Sequence, residues 1–127
     1  MPAYDATLFA PPAPLARVTL RNPVSDAVLS DVPMLLDSGA DVTLVPYECA
    51  MRLGAPLDSN DNYELIAFDG NVSVAQVVTL HMVFLGRTFR GRFLLTKEPF
   101  GILGRNILNS LSLVLDGPRS VWREEAV

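Results

Sequence analysis

The residues best suited to chemistry are Asp37, Ser38 and Gly39, which form a short polar segment between two apolar runs. These runs cover residues 34–36 and 42–45, so the segment interrupts what otherwise predicts a buried strand. Burying a carboxylate without a partner is costly, and the segment therefore needs a chemical or structural reason.

Amide hydrolysis is one chemistry that such an aspartate can perform. A carboxylate can activate water as a general base, but a second acid must protonate the carbonyl oxygen or the leaving amine. Two carboxylates placed face to face supply both roles, because like charges at that separation cannot both ionise and the pair shares one proton. Ser38 can fix the loop by hydrogen bonding, and Gly39 permits a close backbone approach. An aspartate that caps an ordinary turn is the alternative interpretation of Asp37.

Two segments of the chain carry a family resemblance. Leu35-Leu36-Asp37-Ser38-Gly39-Ala40 resembles the active-site signature of the retropepsin-type aspartic proteases, whose fold is that of the retroviral proteases. Ile102-Leu103-Gly104-Arg105-Asn106-Ile107-Leu108 is similar to the second signature of that family. Asp69-Gly70 lies between them, where the family places its flap. The resemblance extends over roughly residues 16–115. The chain resembles the small stand-alone bacterial members more than a polyprotein fragment, and a processed viral piece is the alternative.

The resemblance implies a mostly β, single-domain acid-protease (retropepsin) barrel with a flap hairpin and one or two short helices. Asp37 would be the catalytic acid and base, Ser38 would bond across a dimer, and Gly39 would lie near the scissile bond. Ala40 belongs to the same substrate-binding loop. Asp41 is expected to form a buried, mainly structural pair with Arg105 and to help bind the substrate backbone.

The remaining implied site residues lie in the hairpin and in the second signature. Phe68, Asp69 and Gly70 would form the flap tip, although an ordinary surface hairpin is the alternative. Phe100 and Ile102 match positions that line substrate pockets, but apolar residues there are equally consistent with plain core. Structural support would come from Gly104 and Arg105.

Oligomeric state follows from the number of aspartate signatures. The chain holds a single Asp-Ser-Gly triplet. The other two Asp-Gly sites, Asp69-Gly70 and Asp116-Gly117, predict turns. A lone Asp37 cannot supply two carboxylates, and an active protease must therefore be a homodimer with Asp37 of each subunit at the two-fold axis. The run 111–115 is a candidate dimer strand like those of retroviral members, and the extension 117–127 leaves the geometry of that interface open.

Composition bounds the other function classes. The net charge of -4 argues against nucleic acid as the main partner, because phosphate binding requires a concentrated basic face. Cys49 is the sole cysteine, which excludes an intrachain disulfide and suits a cytoplasmic location. His81 is the sole histidine, so we predict no metal site and no cofactor. The N-terminus lacks the pattern of a signal peptide. No apolar run reaches the length of about 18 residues that a membrane span needs, so we predict no membrane partner.

The chain divides into an extended, Pro- and Ala-rich arm, 1–15, and one domain, 16–127. Alternating patterns predict strands, Asp69-Gly70 predicts a two-residue hairpin turn, and residues 56–62 predict a polar loop. The expected strands cover 17–21, 34–36, 42–45, 65–68, 71–74, 77–85, 88–95, 111–115 and 121–122, and the expected helices cover 47–53 and 105–111.

His81, Cys49 and Trp122 are assigned to packing. Polypeptide is the expected substrate; the alternatives are a peptide-binding module that does not cleave and a purely structural dimerisation domain.

Overall fold

The computed structural model describes residues 2–66 and 69–125, with the backbone alone described at residues 59–63 and 73. Within these ranges the chain is mostly β, as expected, with two short helices. The strands are β1 (Tyr4–Asp5), β2 (Ala13–Arg21), β3 (Val28–Leu36), β4 (Leu44–Pro46), β5 (Leu57–Ile66), β6 (Val72–Phe84), β7 (Arg87–Thr96), β8 (Gly101–Leu103), β9 (Leu113–Asp116) and β10 (Val121–Glu124); the helices are α1 (Tyr47–Arg52) and α2 (Arg105–Leu108).

Eight of these strands form one sheet, in the order β1-β2-β3-β8-β4-β7-β6-β5. An additional pairing between β2 and β6 brings the sheet back on itself. Most neighbours are antiparallel, whereas β3–β8 and β4–β7 are parallel. β9 and β10 form a separate antiparallel hairpin. The fold is therefore a single domain in which the two signature segments lie on neighbouring strands.

The core is built by side chains that alternate along the strands. In β2, Ala16, Val18 and Leu20 are buried, whereas Arg17 between them is exposed, which is the period expected of a half-buried strand. Members of the main core come from both sheets and both helices: Ala16, Val18, Leu20, Val32, Met34, Val45, Ala50, Leu53, Ala55, Val78, Leu80, Met82, Phe84, Phe93, Leu95, Leu103, Ile107 and Trp122.

The hairpin of β5 and β6 differs from the sequence prediction in three ways. The expected loop at 56–62 is wrong, because β5 begins at Leu57 and pairs with β6 across a register shift. β5 ends the sheet order, and an edge strand can be polar because one side of it faces solvent. The two-residue turn at Asp69-Gly70 is also wrong, since Ile66 pairs with Val72, whereas such a turn would place Ile66 opposite Ser73. β6 is one continuous strand of 13 residues instead of two.

The C-terminal hairpin is attached to the core by Trp122. Its side chain is 1% exposed and its Nε1–H donates to the Leu15 carbonyl at 3.0 Å. This confirms its assignment to packing and makes the extension beyond residue 117 part of the folded domain. At the other end of the chain, β1 lies in the Pro- and Ala-rich arm, and β2 begins at Ala13, inside the segment expected to be an arm.

Both predicted helices are present but shorter than expected. α1 ends at Arg52, and Gly54 follows with a positive φ of 62°, which only glycine adopts without strain. α2 ends at Leu108, whereas the sequence pattern extended it to residue 111. No helix in the described ranges is long and apolar enough to cross a membrane.

Candidate active site

Asp37 lies directly after the end of β3, where two signature segments meet. β3 and β8 run parallel, with Leu36 opposite Leu103. The Asp37 backbone N–H continues this pairing by donating to the Leu103 carbonyl at 3.1 Å. The polar segment therefore forms a loop between β3 and β4. The sequence pattern had suggested instead that it interrupts one strand.

The Asp37 carboxylate is oriented by the backbone of its own loop. Its Oδ1 accepts the Gly39 N–H at 2.9 Å, and its main-chain carbonyl accepts the Ala40 N–H at 3.2 Å. A Cβ atom on Gly39 would lie 3.1 Å from Oδ1, which is a tight contact and favours glycine here. Asp37 is half-buried, whereas Ser38 and Gly39 are exposed. The loop thus presents a fixed carboxylate at the surface of the chain.

Helix α2 fastens the other side of the loop. The Arg105 and Asn106 backbone N–H groups donate to the carbonyls of Ala40 and Asp41 at 2.8 and 3.3 Å. The Arg105 guanidinium donates to the Ser38 carbonyl at 2.7 Å and pairs with the Asp41 carboxylate. The expected pairing is therefore formed.

The expected burial of that pair is wrong. The Asp41 and Arg105 side chains are 82% and 42% exposed. An ion pair in water contributes little, about 0–1 kcal/mol, compared with a buried one. What Arg105 adds to the loop is mainly its hydrogen bond to the Ser38 carbonyl.

Gly104 and Thr43 hold the two signature segments in contact. A Cβ atom on Gly104 would lie 2.3 Å from the Val42 carbonyl oxygen, so a side chain has no space there. The Thr43 hydroxyl, on a residue 1% exposed, accepts the Gly104 N–H at 3.1 Å and donates to Asn106 Oδ1 at 2.7 Å. Sequence reasoning did not single out Thr43 or Asn106. The available signal was one hydroxyl inside the apolar run 42–45.

The hairpin of β5 and β6 carries the residues that the sequence predicted for the flap. Phe68 lies outside the described residues. The Asp69 carboxylate organises the turn by accepting hydrogen bonds from the Asn71 backbone N–H and from its Nδ2, at 2.9 and 2.8 Å. Gly70 has a φ of 84°. Ile66 and Val72 stand opposite each other near the tip and are 74% and 58% exposed. An exposed apolar pair of this kind favours contact with a ligand or a second chain.

A cavity of about 610 Å³ lies between this hairpin and strands β4 and β7. Its lining is formed by Leu44, Tyr47, Leu65, Val74, Ala75, Gln76, Leu95, Thr96 and Lys97. Ile102 pairs with Leu44 in the sheet and is half-buried. Neither Ile102 nor Phe100 is among the lining residues of this cavity.

Phe100 instead contacts an aromatic residue of the N-terminal segment. Its ring packs edge-on against Phe9, with ring centroids 4.7 Å apart. Phe9 was not singled out from the sequence, because an isolated aromatic in a Pro- and Ala-rich segment carries no periodicity. The contact joins the N-terminal segment to the residue that precedes β8.

Comparison with known proteins assigns the family. The family model described as "gag-polyprotein putative aspartyl protease" matches residues 30–110, which include both signature segments. The chain belongs to this aspartyl protease family. Among solved structures, EIAV protease complexed with the inhibitor HBY-793 is similar at 25% sequence identity and a TM-score of 0.57. The match covers 77% of this chain and 86% of that chain, so the retroviral-protease fold is confirmed.

The histidine and the cysteine of this aspartyl protease family member lie apart from the Asp37 loop. Partial burial, with Arg21 and Arg90 beside the ring, lowers the pKa of His81, whose Nδ1 is 2.6 Å from the Arg21 guanidinium. Burial raises the pKa of the Cys49 thiol. Among the side chains that the structure describes, no cluster of three or more His, Cys, Asp or Glu residues could hold a metal ion.

Proposed function

We propose that the protein is an aspartic endopeptidase that hydrolyses extended polypeptides as a homodimer. The observation that carries this proposal is the single half-buried Asp37, held at the end of β3 against the second signature segment. Two-fold symmetry would place a second Asp37 loop opposite the first and complete a pair of carboxylates.

The reaction needs one proton on the pair of Asp37 carboxylates. The ionised carboxylate removes a proton from water, and the water oxygen attacks the peptide carbonyl carbon. The protonated carboxylate gives its proton to the carbonyl oxygen, which yields a neutral tetrahedral diol. Collapse of the diol breaks the C–N bond, and a proton passes through the carboxylates to the leaving nitrogen. Because both the fully ionised and the fully protonated pair are inactive, the rate should have a bell-shaped pH dependence.

The other residues of the loop would position groups without exchanging protons. Ser38 is exposed and therefore available to bond across the dimer. Gly39 fixes the carboxylate through its N–H and, having no side chain, leaves space for the peptide. Ala40 and Asp41 extend the loop along which substrate backbone would run.

The β5–β6 hairpin would cover the substrate. An extended peptide can bind as an added strand, with its side chains entering pockets on alternate sides. The cavity beneath the hairpin is mostly apolar, with Leu44, Leu65 and Leu95 in its lining, and therefore suits apolar side chains. Closure of such a hairpin excludes bulk water from the carboxylates.

The proposal is tested by peptide-library cleavage across pH, comparing the wild-type protein with Asp37→Asn. The introduced amide retains an acceptor for the Gly39 N–H but cannot exchange a proton, so we expect cleavage to be lost while the fold persists. Asp31→Asn is the matched control, since it makes the same change at an exposed aspartate of β3 outside the Asp37 loop and should cleave normally.

Two results would overturn the proposal. One is equal cleavage by wild type and Asp37→Asn, which would assign the activity to a contaminant or another site. The other is an absence of cleavage at every pH from a folded dimer that still binds peptides, which would indicate a binding module.

A further inference from the structure

Three nitrogen-rich side chains lie side by side on the outer face of the main sheet. The register places Arg21 of β2 opposite His81 of β6, and it places His81 opposite Arg90 of β7. Residues directly opposite each other in neighbouring strands project from the same face of the sheet. Leu80 and Met82, which flank His81 in the chain, are fully buried, so these three side chains project away from the core. We call them the basic row.

The first member of the basic row is held in place by a well-anchored loop. The Arg21 guanidinium donates to the Asp26 carboxylate at 3.1 Å, and it lies 2.6 Å from His81 Nδ1. The Asp26 backbone N–H donates to the Asn22 carbonyl at 2.9 Å. Asn22 is 4% exposed, and its Nδ2 donates to two main-chain carbonyls directly after α1. The position of the Arg21 guanidinium is therefore fixed by the protein itself.

The contact with Arg21 determines which nitrogen of His81 carries the proton. A guanidinium can only donate, so Nδ1 must accept, and the proton of the neutral ring lies on Nε2. Nε2 has no hydrogen-bond partner among the residues that the structure describes. In that part of the chain every buried side-chain nitrogen or oxygen has a partner, so Nε2 must be accessible to solvent. His81 therefore offers an unused N–H donor at the surface.

Arg90 adds a positive charge to this donor. Its side chain is exposed and forms no ion pair within the described part of the chain. The other guanidiniums on this face have carboxylate partners, since Arg21 pairs with Asp26 and Arg92 pairs with Asp58, both at 3.1 Å. The charge of Arg90 is thus in excess locally, although the chain as a whole carries a net charge of -4. A local excess of this sign attracts an anion.

We propose that the basic row binds a phosphate group, either as free phosphate or as a phosphate ester. Neighbouring strands lie about 4.8 Å apart, so side chains from three of them can reach one ligand of this size. A phosphate carries a charge of about −1.5 to −2 and has acceptor oxygens that point in several directions, which suits donors from three strands. Arg90 and the Nε2–H of His81 would each donate to one of these oxygens.

The proposed phosphate site is separate from the Asp37 loop. Arg21 stands opposite Val28 at the start of β3, whereas Asp37 follows the end of β3. The two sites therefore lie at opposite ends of that strand. The inference does not rest on the proposed function, and phosphate binding can be measured whether or not the protein cleaves peptides.

Bound phosphate should change the protonation of His81. An anion beside the imidazole stabilises its charged form, so the pKa of His81 should rise on binding. Arg21 and Arg90 oppose protonation of the ring, and Asp26 favours it, in the free and in the bound protein alike. Arg92 lies on the same face and is neutralised by Asp58. The phosphate itself is therefore the group that changes, and affinity for it should increase as the pH falls through the pKa of His81.

NMR of the single imidazole tests the proposal directly in the full chain. The His81 ring resonances are followed while inorganic phosphate is added at constant ionic strength, with sodium chloride as the balancing salt. We expect a saturable shift that fits one dissociation constant, together with a higher pKa for His81. The nitrogen shifts of the free protein should show an unprotonated Nδ1 and a protonated Nε2.

Two arginine substitutions separate specific binding from a general effect of charge. Arg90→Gln removes the unpaired guanidinium and should weaken phosphate binding by about tenfold or more. Arg119→Gln removes the same charge from the turn between β9 and β10, at a position 81% exposed, and should bind phosphate like wild type. Trp122 fluorescence verifies that both variants are folded. Arg90→Lys should bind with intermediate affinity, because an ammonium lacks the planar pair of donors.

Phosphoserine, titrated in the same way, distinguishes the two sources of the phosphate group. Binding tighter than that of inorganic phosphate would identify a phosphate ester as the ligand, and equal or weaker binding would identify free phosphate. Two results would overturn the proposal: His81 shifts that are the same for phosphate and for chloride at equal ionic strength, or equal phosphate affinity in Arg90→Gln and Arg119→Gln.

Discussion

At the scale of single residues, the Asp37 carboxylate is positioned by backbone groups. Its Oδ1 accepts the Gly39 N–H, and the loop that carries it is bonded to Leu103 and to the first turn of α2. The side chains that matter for this geometry are accordingly those that let the backbone segments approach each other. Gly104 and Thr43 do so at the junction of the two signatures.

We predict that Gly104→Ala destabilises the fold by about 1–3 kcal/mol or more. The new Cβ would lie 2.3 Å from the Val42 carbonyl oxygen and 2.9 Å from the Val42 nitrogen, and backbone cannot move aside as a side chain can. Urea unfolding followed by Trp122 fluorescence measures the effect. Gly117→Ala is the control, because its Cβ would meet nothing within 4 Å; equal stability of the two variants would contradict the prediction.

Thr43→Val should lower the free energy of unfolding by about 1–3 kcal/mol. Valine matches threonine in shape but leaves the Gly104 N–H and Asn106 Oδ1 without their hydroxyl partner. Thr43→Ser keeps the hydroxyl and should recover most of the loss. Thermal or urea unfolding distinguishes them, and a valine variant as stable as wild type would contradict the prediction.

At the scale of elements, two features lie on different strands. The β5–β6 hairpin has an exposed apolar pair, and the central strands have a group of basic side chains. The hairpin tip carries its exposed apolar pair, Ile66 and Val72. Across β2, β6 and β7, the register places Arg21, His81 and Arg90 side by side. The first feature leads to a prediction about peptide cleavage, and the second leads to a prediction about stability.

Replacing Ile66 and Val72 by serine should reduce kcat/KM for peptide cleavage with little change in stability. Both side chains are mostly exposed, so their removal should alter the unfolding free energy by less than about 0.5 kcal/mol each. A hairpin that covers bound peptide would lose apolar contact with it, and this loss should appear mainly as a higher KM. Val28→Ser, at a position 57% exposed on β3, is the control. Unchanged kinetics in the double variant would argue against a covering role.

The pH dependence of stability should include a contribution from His81. Partial burial, Arg21 and Arg90 lower its pKa, and Asp26 opposes them more weakly. The unfolded chain therefore takes up the proton first, and stability is lost as the pH falls below about 6.5 towards the lower folded value. NMR titration of the single imidazole should give this lowered pKa, and Arg90→Gln should raise it. A folded pKa at or above the ordinary value would refute the assignment.

At the scale of the whole molecule, activity should depend on pairing of two intact Asp37 loops. If wild type is mixed with an equal amount of Asp37→Asn and the subunits exchange, about one quarter of the dimers keep both aspartates. Specific activity per total protein should fall to that fraction and not to one half. Unfolding and refolding of the mixture ensures exchange, and mixing with Asp31→Asn gives the reference. A fall to one half would indicate that each chain acts alone.

Much of this architecture could be predicted from the sequence, because its signals are local. Alternation in β2 and the apolar runs around Asp37 predicted strands, and Gly54 predicted the end of α1. The parts that were wrong depend on tertiary context. β5 is polar because it is an edge strand, and the Asp41–Arg105 pair is exposed because its loop lies at the surface. Thr43 gained its role from Gly104 and Asn106, which lie more than 60 residues away in the chain.

The anchoring of Trp122 has a consequence for how the protein is made. Trp122 bonds to the Leu15 carbonyl, 107 residues earlier, and fills part of the core from β10. Contacts between distant parts of a chain form late, because closing a long loop costs entropy before any contact repays it. During synthesis, the nascent chain therefore cannot complete its core until β10 has emerged. A product terminated before β10 would contain Asp37 and both signatures, and its core would lack the Trp122 side chain.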